Sequence, residues 1–141
     1  MVSRAEFVAE VRTWLGTPYH HQGRLKGVGV DCGGLLVCAG KALGLTDFDM
    51  QGYGRYPDGS LLPLCEAHMQ RITLADVAPG AVILFQWQSR PSHLGIVTAV
   101  DGDEWLMTHA YIQSRKVVEH RLDDAWRGAI AGFFEFHELE R

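Results

Sequence analysis

The sequence is poor in cysteine and lacks the cysteine spacings that hold a structural metal ion. Its 141 residues contain three cysteines, Cys32, Cys38 and Cys65, and this odd number cannot pair completely within one chain. No C-x-x-C pair is present, so we expect neither a disulfide framework nor a structural zinc site. We therefore predict free thiols and no metal or organic cofactor, and one thiol could be present for its reactivity.

The sequence also lacks a basic cluster and a long apolar run. Thirteen basic and seventeen acidic residues give a net charge of −4, and Lys and Arg are dispersed, so we expect no nucleic-acid partner. The longest uncharged apolar run, residues 32–40, is much shorter than the ~20 residues that a membrane span needs. The N-terminal segment carries Arg4 and Glu6 where a signal peptide would be apolar. We therefore expect no membrane partner, and synthesis in the cytoplasm without a signal peptide.

Apolar periodicity predicts helices early in the chain and strands in its second half. A capping-box spacing followed by an apolar stripe predicts a helix over 4–15, a second and largely buried helix is predicted over 32–43, and a short one over 62–69. The segments with strand character are 81–87, 94–100, 104–110, 116–122 and 128–136. This order predicts a single α+β domain (1–141), with N-terminal helices packed on a mainly antiparallel sheet of about five strands.

Cys32 is the best candidate for a nucleophile. It opens the second predicted helix directly after Asp31, where the helix dipole and free backbone N–H groups favour a thiolate. Gly33 and Gly34 leave the first turn bare, so that an acyl group could reach the sulfur. The other two cysteines are more simply interpreted as small core residues.

Two histidines could complete a catalytic site. His93 follows a polar loop and begins a predicted strand, which is a rigid position for a general base. His109 lies on the next strand beyond an Asp101-Gly102 hairpin turn, and this pairing would bring it near His93 to orient the imidazole. Taken alone, each could instead be a loop or core histidine without a catalytic role. His120, on the following strand, is predicted to face solvent.

Several motifs follow one another in an order typical of one enzyme family. The motifs are GTPYHHQGRLKGVGVDCGGL from Gly16 to Leu35, PGAVILF from Pro79, SHLGIV from Ser92 and the triplet Thr108-His109-Ala110. Together they resemble the NlpC-like cell-wall cysteine peptidases, a papain-like family of bacterial and phage enzymes. Two further segments, YGRYPDGSLL (53–62) and VVEHRL (117–122), look most like the phage-tail and gene-transfer-agent branch of that family.

The resemblance implies a papain-like cysteine peptidase that hydrolyses an amide bond in peptidoglycan stem peptides, between γ-D-glutamyl and meso-diaminopimelate. Under this hypothesis Cys32 forms a thioacyl-enzyme, His93 acts as the base, and His109 orients it. The implied partners are stem peptides and phage-tail proteins, and a virion would deliver the chain to the cell wall.

Three further residues are predicted to contact the substrate. The Tyr19 hydroxyl would share oxyanion binding with the backbone N–H of Cys32, and Asp31 would hold the cationic or amide end of the stem peptide. Gly33 replaces the serine that helps relatives bind the N-terminal side of the substrate, and Ala81 replaces an aspartate that many relatives carry.

Two other functions remain open on the sequence alone. The same cysteine and histidine could serve an amidase or acyltransferase whose substrate is not cell wall, because a fold and a triad do not fix the acceptor. The chain could also be a phage-tail component that binds wall peptides or tail proteins without cleaving them.

Overall fold

A computed structural model describes residues 1–141 as an α+β structure with helices packed on an antiparallel sheet. The helices are α1 (Arg4–Arg12), α2 (Cys32–Ala42), α3 (Leu61–His68) and α4 (Asp124–Arg127), and a 3₁₀ turn spans Leu74–Asp76. The strands are β1 (Arg24–Leu25), β2 (Gly29–Val30), β3 (Gln70–Ile72), β4 (Val82–Phe85), β5 (His93–Asp101), β6 (Glu104–Tyr111), β7 (Lys116–Arg121) and β8 (Ile130–Glu135). None of the helices combines the length and the apolar character of a membrane span.

The main sheet has six strands in the order β3-β8-β4-β5-β6-β7, and β1 and β2 form a separate hairpin. The five predicted strands correspond to β4 through β8. The sixth, β3, is a three-residue edge strand with one buried residue, Ile72, which is too short to show an alternating pattern. The β1–β2 hairpin lies within a glycine-rich stretch that the sequence predicts as loop.

Side-chain caps fix where the two long helices begin. The Ser3 hydroxyl accepts the backbone N–H of Glu6 at the start of α1. The Asp31 carboxylate accepts the backbone N–H of Gly34 at 2.8 Å at the start of α2. This second cap makes Cys32 the first residue of its helix, as predicted.

The sheet buries both of its faces. On one face, α1 and α2 pack against a core that includes Phe7, Leu35 and Ile96. On the other, Phe85 and Met107 form a second core that Trp126 of α4 partly covers. Because side chains alternate along a strand, the two faces take alternate residues of β5.

A β-bulge in β5 controls which face each residue of its first half occupies. Asp101 pairs with Glu104, so the turn consists of Gly102 and Asp103, displaced by one residue from the predicted Asp101-Gly102 turn. The register then shifts by one between Val97 and Ala99. A shift of one residue exchanges the two faces, so the bulge determines the face on which β5 and β6 side chains meet.

We expect Gly34→Ala to destabilise the protein and Gly33→Ala to serve as its matched control. A Cβ at Gly34 would lie 2.7 Å from the carbonyl oxygen of Gly23 and 2.9 Å from Val30, whereas a Cβ at Gly33 meets nothing within 4 Å. Overpacking of this kind lowers the free energy of unfolding by about 1–3 kcal/mol. Urea unfolding of the two variants measures the difference, and equal stability would contradict the tight packing of this turn.

Candidate active site

Cys32 lies in a cleft of about 220 Å³ between α2, α3, the segment 46–60 and the start of β5. Three other predicted site residues, Tyr19, Asp31 and Gly33, also line this cleft. The walls are largely apolar, with side chains that include Leu36, Val37, Phe48, Leu61, Leu64 and Phe136. A second cysteine, Cys65, also lines the cleft but is buried. The cleft therefore offers a substrate both apolar contact and access to the Cys32 thiol.

The Cys32 thiol is half-buried, and its burial controls its ionisation. Burial raises the pKa of the thiol to about 11, and the nearby Asp31 carboxylate adds to the rise. Backbone N–H groups of Leu94, Gly33 and Cys32 oppose this shift without overcoming it. The sequence-based expectation of a resting thiolate is therefore wrong. The sequence shows that Cys32 starts a helix, but it does not show how far the folded chain buries the sulfur.

Three histidines form a continuous hydrogen-bonded row across three neighbouring strands. His93 is the first residue of β5, and its Nε2 lies 2.6 Å from Nδ1 of His109 on β6. His109 is fully buried, and its Nε2 lies 2.8 Å from Nε2 of His120 on β7. Nδ1 of His120 in turn lies 2.8 Å from the backbone carbonyl oxygen of Arg121.

The position of His120 corrects the sequence analysis. The prediction that this residue faces solvent is wrong, because its imidazole is half-buried and hydrogen-bonded to His109. His109 pairs with Val118 across β6 and β7, which puts His120 diagonally opposite on the same face. The alternation of side chains in β7 could have indicated this face, had the register with β6 been known.

Trp126 of α4 packs against all three imidazoles, with ring centroids 5.9 Å from His93, 5.0 Å from His109 and 5.5 Å from His120. His93 and His109 are buried beneath this cover, whereas His120 is half-buried. Burial lowers the pKa of His93 to about 4, and His120 contributes to the shift. Burial, with His93 and His120, lowers the pKa of His109 to about 2. Both imidazoles are therefore neutral at neutral pH.

Cys32 packs against the core on one face of the sheet, whereas His93 packs against Phe85 and Trp126 on the other face. Leu94, which follows His93 in β5, lines the cleft with Cys32, and its backbone N–H acts to lower the pKa of the thiol. No hydrogen bond joins the sulfur to the imidazole in this structure, and such catalytic contacts often tighten only when substrate binds. His93 Nδ1 is the ring nitrogen that does not contact His109.

Both carboxylate oxygens of Asp31 are engaged in contacts within the protein. One carboxylate oxygen accepts the backbone N–H of Gly34 and lies 3.1 Å from Nη1 of Arg24, and the other accepts the backbone N–H of Gln22 and the Tyr53 hydroxyl. The carboxylate is almost fully buried. This geometry favours a positioning role over the predicted direct contact with substrate. The sequence analysis did not single out Arg24 or Tyr53, since their partner is distant in the chain.

Tyr19 and Gly33 remain open to the cleft. Burial raises the pKa of the Tyr19 hydroxyl to about 12, with smaller contributions from Cys32 and Asp31, so the group stays a hydrogen-bond donor at neutral pH. Nothing in the fold fills the space beside Gly33, so its missing side chain leaves room next to the sulfur.

The histidine pair His20-His21 does not form a metal site. Nε2 of His21 lies 3.0 Å from the backbone carbonyl oxygen of Tyr53 and its ring lines the cleft, whereas His20 is exposed. No group of three or more His, Cys, Asp or Glu side chains in the chain is arranged so that it could hold a metal ion.

A model of the NlpC/P60 family matches residues 16–131 of the chain. Among solved structures, the NlpC/p60 domain of the peptidoglycan hydrolase SagA superposes with a TM-score of 0.63 at 23% identity, over 95% of this chain and 98% of that domain. NlpC1 from Trichomonas vaginalis superposes with a TM-score of 0.67 at 19% identity, over 94% of this chain and 44% of that one.

A protein of the NLP/P60 family from Staphylococcus aureus, similar to lipoprotein, superposes with a TM-score of 0.66 at 16% identity over 98% of this chain. The chain spans only 42% of that protein. These likenesses confirm the predicted papain-like α+β fold. No curated protein sequence matches the chain.

We expect the free protein to hold a neutral Cys32 thiol and a neutral His93 imidazole at neutral pH. Burial disfavours the charged form of each group, which raises the thiol pKa to about 11 and lowers the imidazole pKa to about 4. Thiolate absorbs in the ultraviolet, and the difference between the wild-type protein and Cys32→Ala isolates this one sulfur from the other two. The difference signal should be absent at neutral pH and grow only in strongly alkaline solution. A full thiolate signal at neutral pH would show an ion pair instead.

Proposed function

The chain belongs to the NlpC/P60 family, and on that premise we propose that it is a cysteine peptidase that hydrolyses an amide bond in peptidoglycan stem peptides. One observation carries the proposal above all. A cysteine at a helix N-terminus opens into a cleft that Ser92 and Leu94 line, and His93 between them has its Nε2 held by a second, fully buried histidine. A nucleophile, a base and an orienting group in this relation are the parts that acyl transfer needs.

In the first chemical step, the Cys32 sulfur attacks the carbonyl carbon while its proton passes to Nδ1 of His93. The proton moves during attack, because burial keeps both groups neutral beforehand. The backbone N–H of Cys32 and the Tyr19 hydroxyl donate to the oxyanion that forms. The raised pKa of Tyr19 keeps its proton available for this role.

The second step releases the products. The C–N bond breaks, the leaving amine takes the proton from His93, and a thioester to Cys32 remains. Water then transfers a proton to His93 as it attacks the thioester. The C–S bond breaks, the proton returns to the sulfur, and the new carboxylic acid leaves.

The bond that we propose is the one between γ-D-glutamyl and meso-diaminopimelate. Stem peptides carry free carboxylates on both sides of this bond. The exposed guanidinium of Arg55 lines the cleft near Tyr19 and would attract such groups. The half of the cleft formed by Leu61 and Leu64 would contact the aliphatic part of the diamino acid.

Mass spectrometry of muropeptides after incubation with purified peptidoglycan tests the proposal. We expect new peptides cleaved at one amide bond in the wild-type digest and none in the Cys32→Ala digest, since that variant removes the sulfur and keeps the cleft. Cys38→Ala is the matched control, because this half-buried thiol contacts the carbonyl oxygen of Arg24 rather than the cleft.

Other outcomes would contradict the proposal in distinct ways. Intact peptidoglycan with acylation of Cys32 by another acyl donor would favour an amidase or acyltransferase. Intact peptidoglycan with no reaction of Cys32 toward any electrophile would favour a binding module.

We also propose that the chain acts with phage-tail machinery. The proposal is supported by the resemblance of the segments 53–62 and 117–122 to the phage-tail and gene-transfer-agent branch of the family. Both segments also contribute to the site. Tyr53 donates to Asp31, and His120 contacts His109. Protein mass spectrometry of purified virions tests this association, and absence of the chain from virions that carry a complete tail would contradict it.

A further inference from the structure

The row of three histidines ends on a group that can only accept a hydrogen bond. The carbonyl oxygen of Arg121 has no proton, so Nδ1 of His120, at 2.8 Å, must be the donor. A neutral imidazole carries one N–H, so Nε2 of His120 is then an acceptor. When all three imidazoles are neutral, this contact fixes the position of the proton on each ring.

The remaining assignments follow in sequence from the two measured contacts. Nε2 of His109 must donate to Nε2 of His120, which leaves Nδ1 of His109 as an acceptor. Nε2 of His93 must then donate to Nδ1 of His109. The lone pair of His93 therefore lies on Nδ1, the nitrogen that has to receive the thiol proton.

We infer that His120, held by the Arg121 carbonyl, is a positioning residue that sets the tautomer of His93 through His109. The inference rests on the proposed function, because it concerns the base of that reaction. His120 does not touch the reacting atoms. Its contribution is to keep the basic nitrogen of His93 free and the other nitrogen protonated.

The surroundings of the row favour direct hydrogen bonds between the imidazoles. His109 is fully buried and Trp126 packs against all three rings, so the two contacts of His109 are shielded from water, whereas the contact of His120 with the Arg121 carbonyl is exposed. The two charged neighbours of His120 in β7 have partners outside the row. Arg121 forms an exposed ion pair with Glu104, and the Glu119 carboxylate binds Arg12 and accepts from Thr98 and Thr108. The buried polar atoms of the row all have partners.

Two substitutions at position 120 separate an acceptor from a donor. In His120→Gln the amide oxygen can accept from Nε2 of His109 and preserve every assignment. In His120→Lys the ammonium can only donate, which would make Nε2 of His109 an acceptor and reverse the two contacts that follow. Both side chains are long and polar, so a general loss of packing should affect them alike.

Nitrogen NMR of labelled histidine reads the tautomer without any substrate. We expect His93 to carry its proton on Nε2 in the wild-type protein and in His120→Gln, and on Nδ1 in His120→Lys. A wild-type His93 protonated on Nδ1 would overturn the inference without recourse to any variant. The same tautomer in both variants would overturn it as well.

Hydrolysis of peptidoglycan provides the second measurement. A base in the wrong tautomer costs about 10²–10⁴-fold in kcat, so we expect a loss in this range for His120→Lys with KM nearly unchanged, and a much smaller loss for His120→Gln. Equal loss in both variants would indicate a merely structural residue. If the wild-type protein cleaves no peptidoglycan, the proposed function fails, while the NMR result still decides the proton order.

Discussion

The buried carboxylate of Asp31 is the interaction on which the site depends. It caps α2, and its other contacts hold the backbone at Gln22, the guanidinium of Arg24 and the hydroxyl of Tyr53. These partners come from three separate parts of the chain, so one side chain joins the helix that carries Cys32 to the two segments that border the cleft. A carboxylate can be buried when hydrogen bonds and an ion pair compensate for its lost hydration. Removal of any one partner would leave part of that loss uncompensated and would destabilise the protein.

The proposed base, His93, lies on the opposite face of the sheet, and the β-bulge in β5 determines its orientation. Without the bulge between Val97 and Ala99, a β5–β6 pairing that begins at Asp101 and Glu104 would turn His93 and His109 to opposite faces. With it, the two imidazoles meet at 2.6 Å. Cap and bulge are both local features, and together they bring the proposed nucleophile, Cys32, and the proposed base, His93, to the start of β5.

The sequence could predict those parts of the site that depend on local chemistry. The position of Cys32 follows from a capping residue and a helical stripe, and the five longer strands follow from their composition. The proximity of His93 and His109 was also predicted, although the turn was placed one residue too early. The apolar pattern does not reveal a bulge of one residue. The role of His120 could not be predicted, since a polar residue on a half-buried strand faces solvent unless a distant element such as α4 covers it.

Burial gives this site its chemical character. The Cys32 thiol has a raised pKa and the His93 imidazole a lowered one, so both groups are uncharged in the free protein. The free protein therefore presents no thiolate to surrounding electrophiles. Charge appears only as the proton moves from sulfur to nitrogen during attack on a carbonyl. The direction of that movement depends on which nitrogen of His93 is free, and this in turn depends on a carbonyl oxygen two strands away. The catalytic base is thus defined by the hydrogen bonding of the whole row, from β5 to the end of β7.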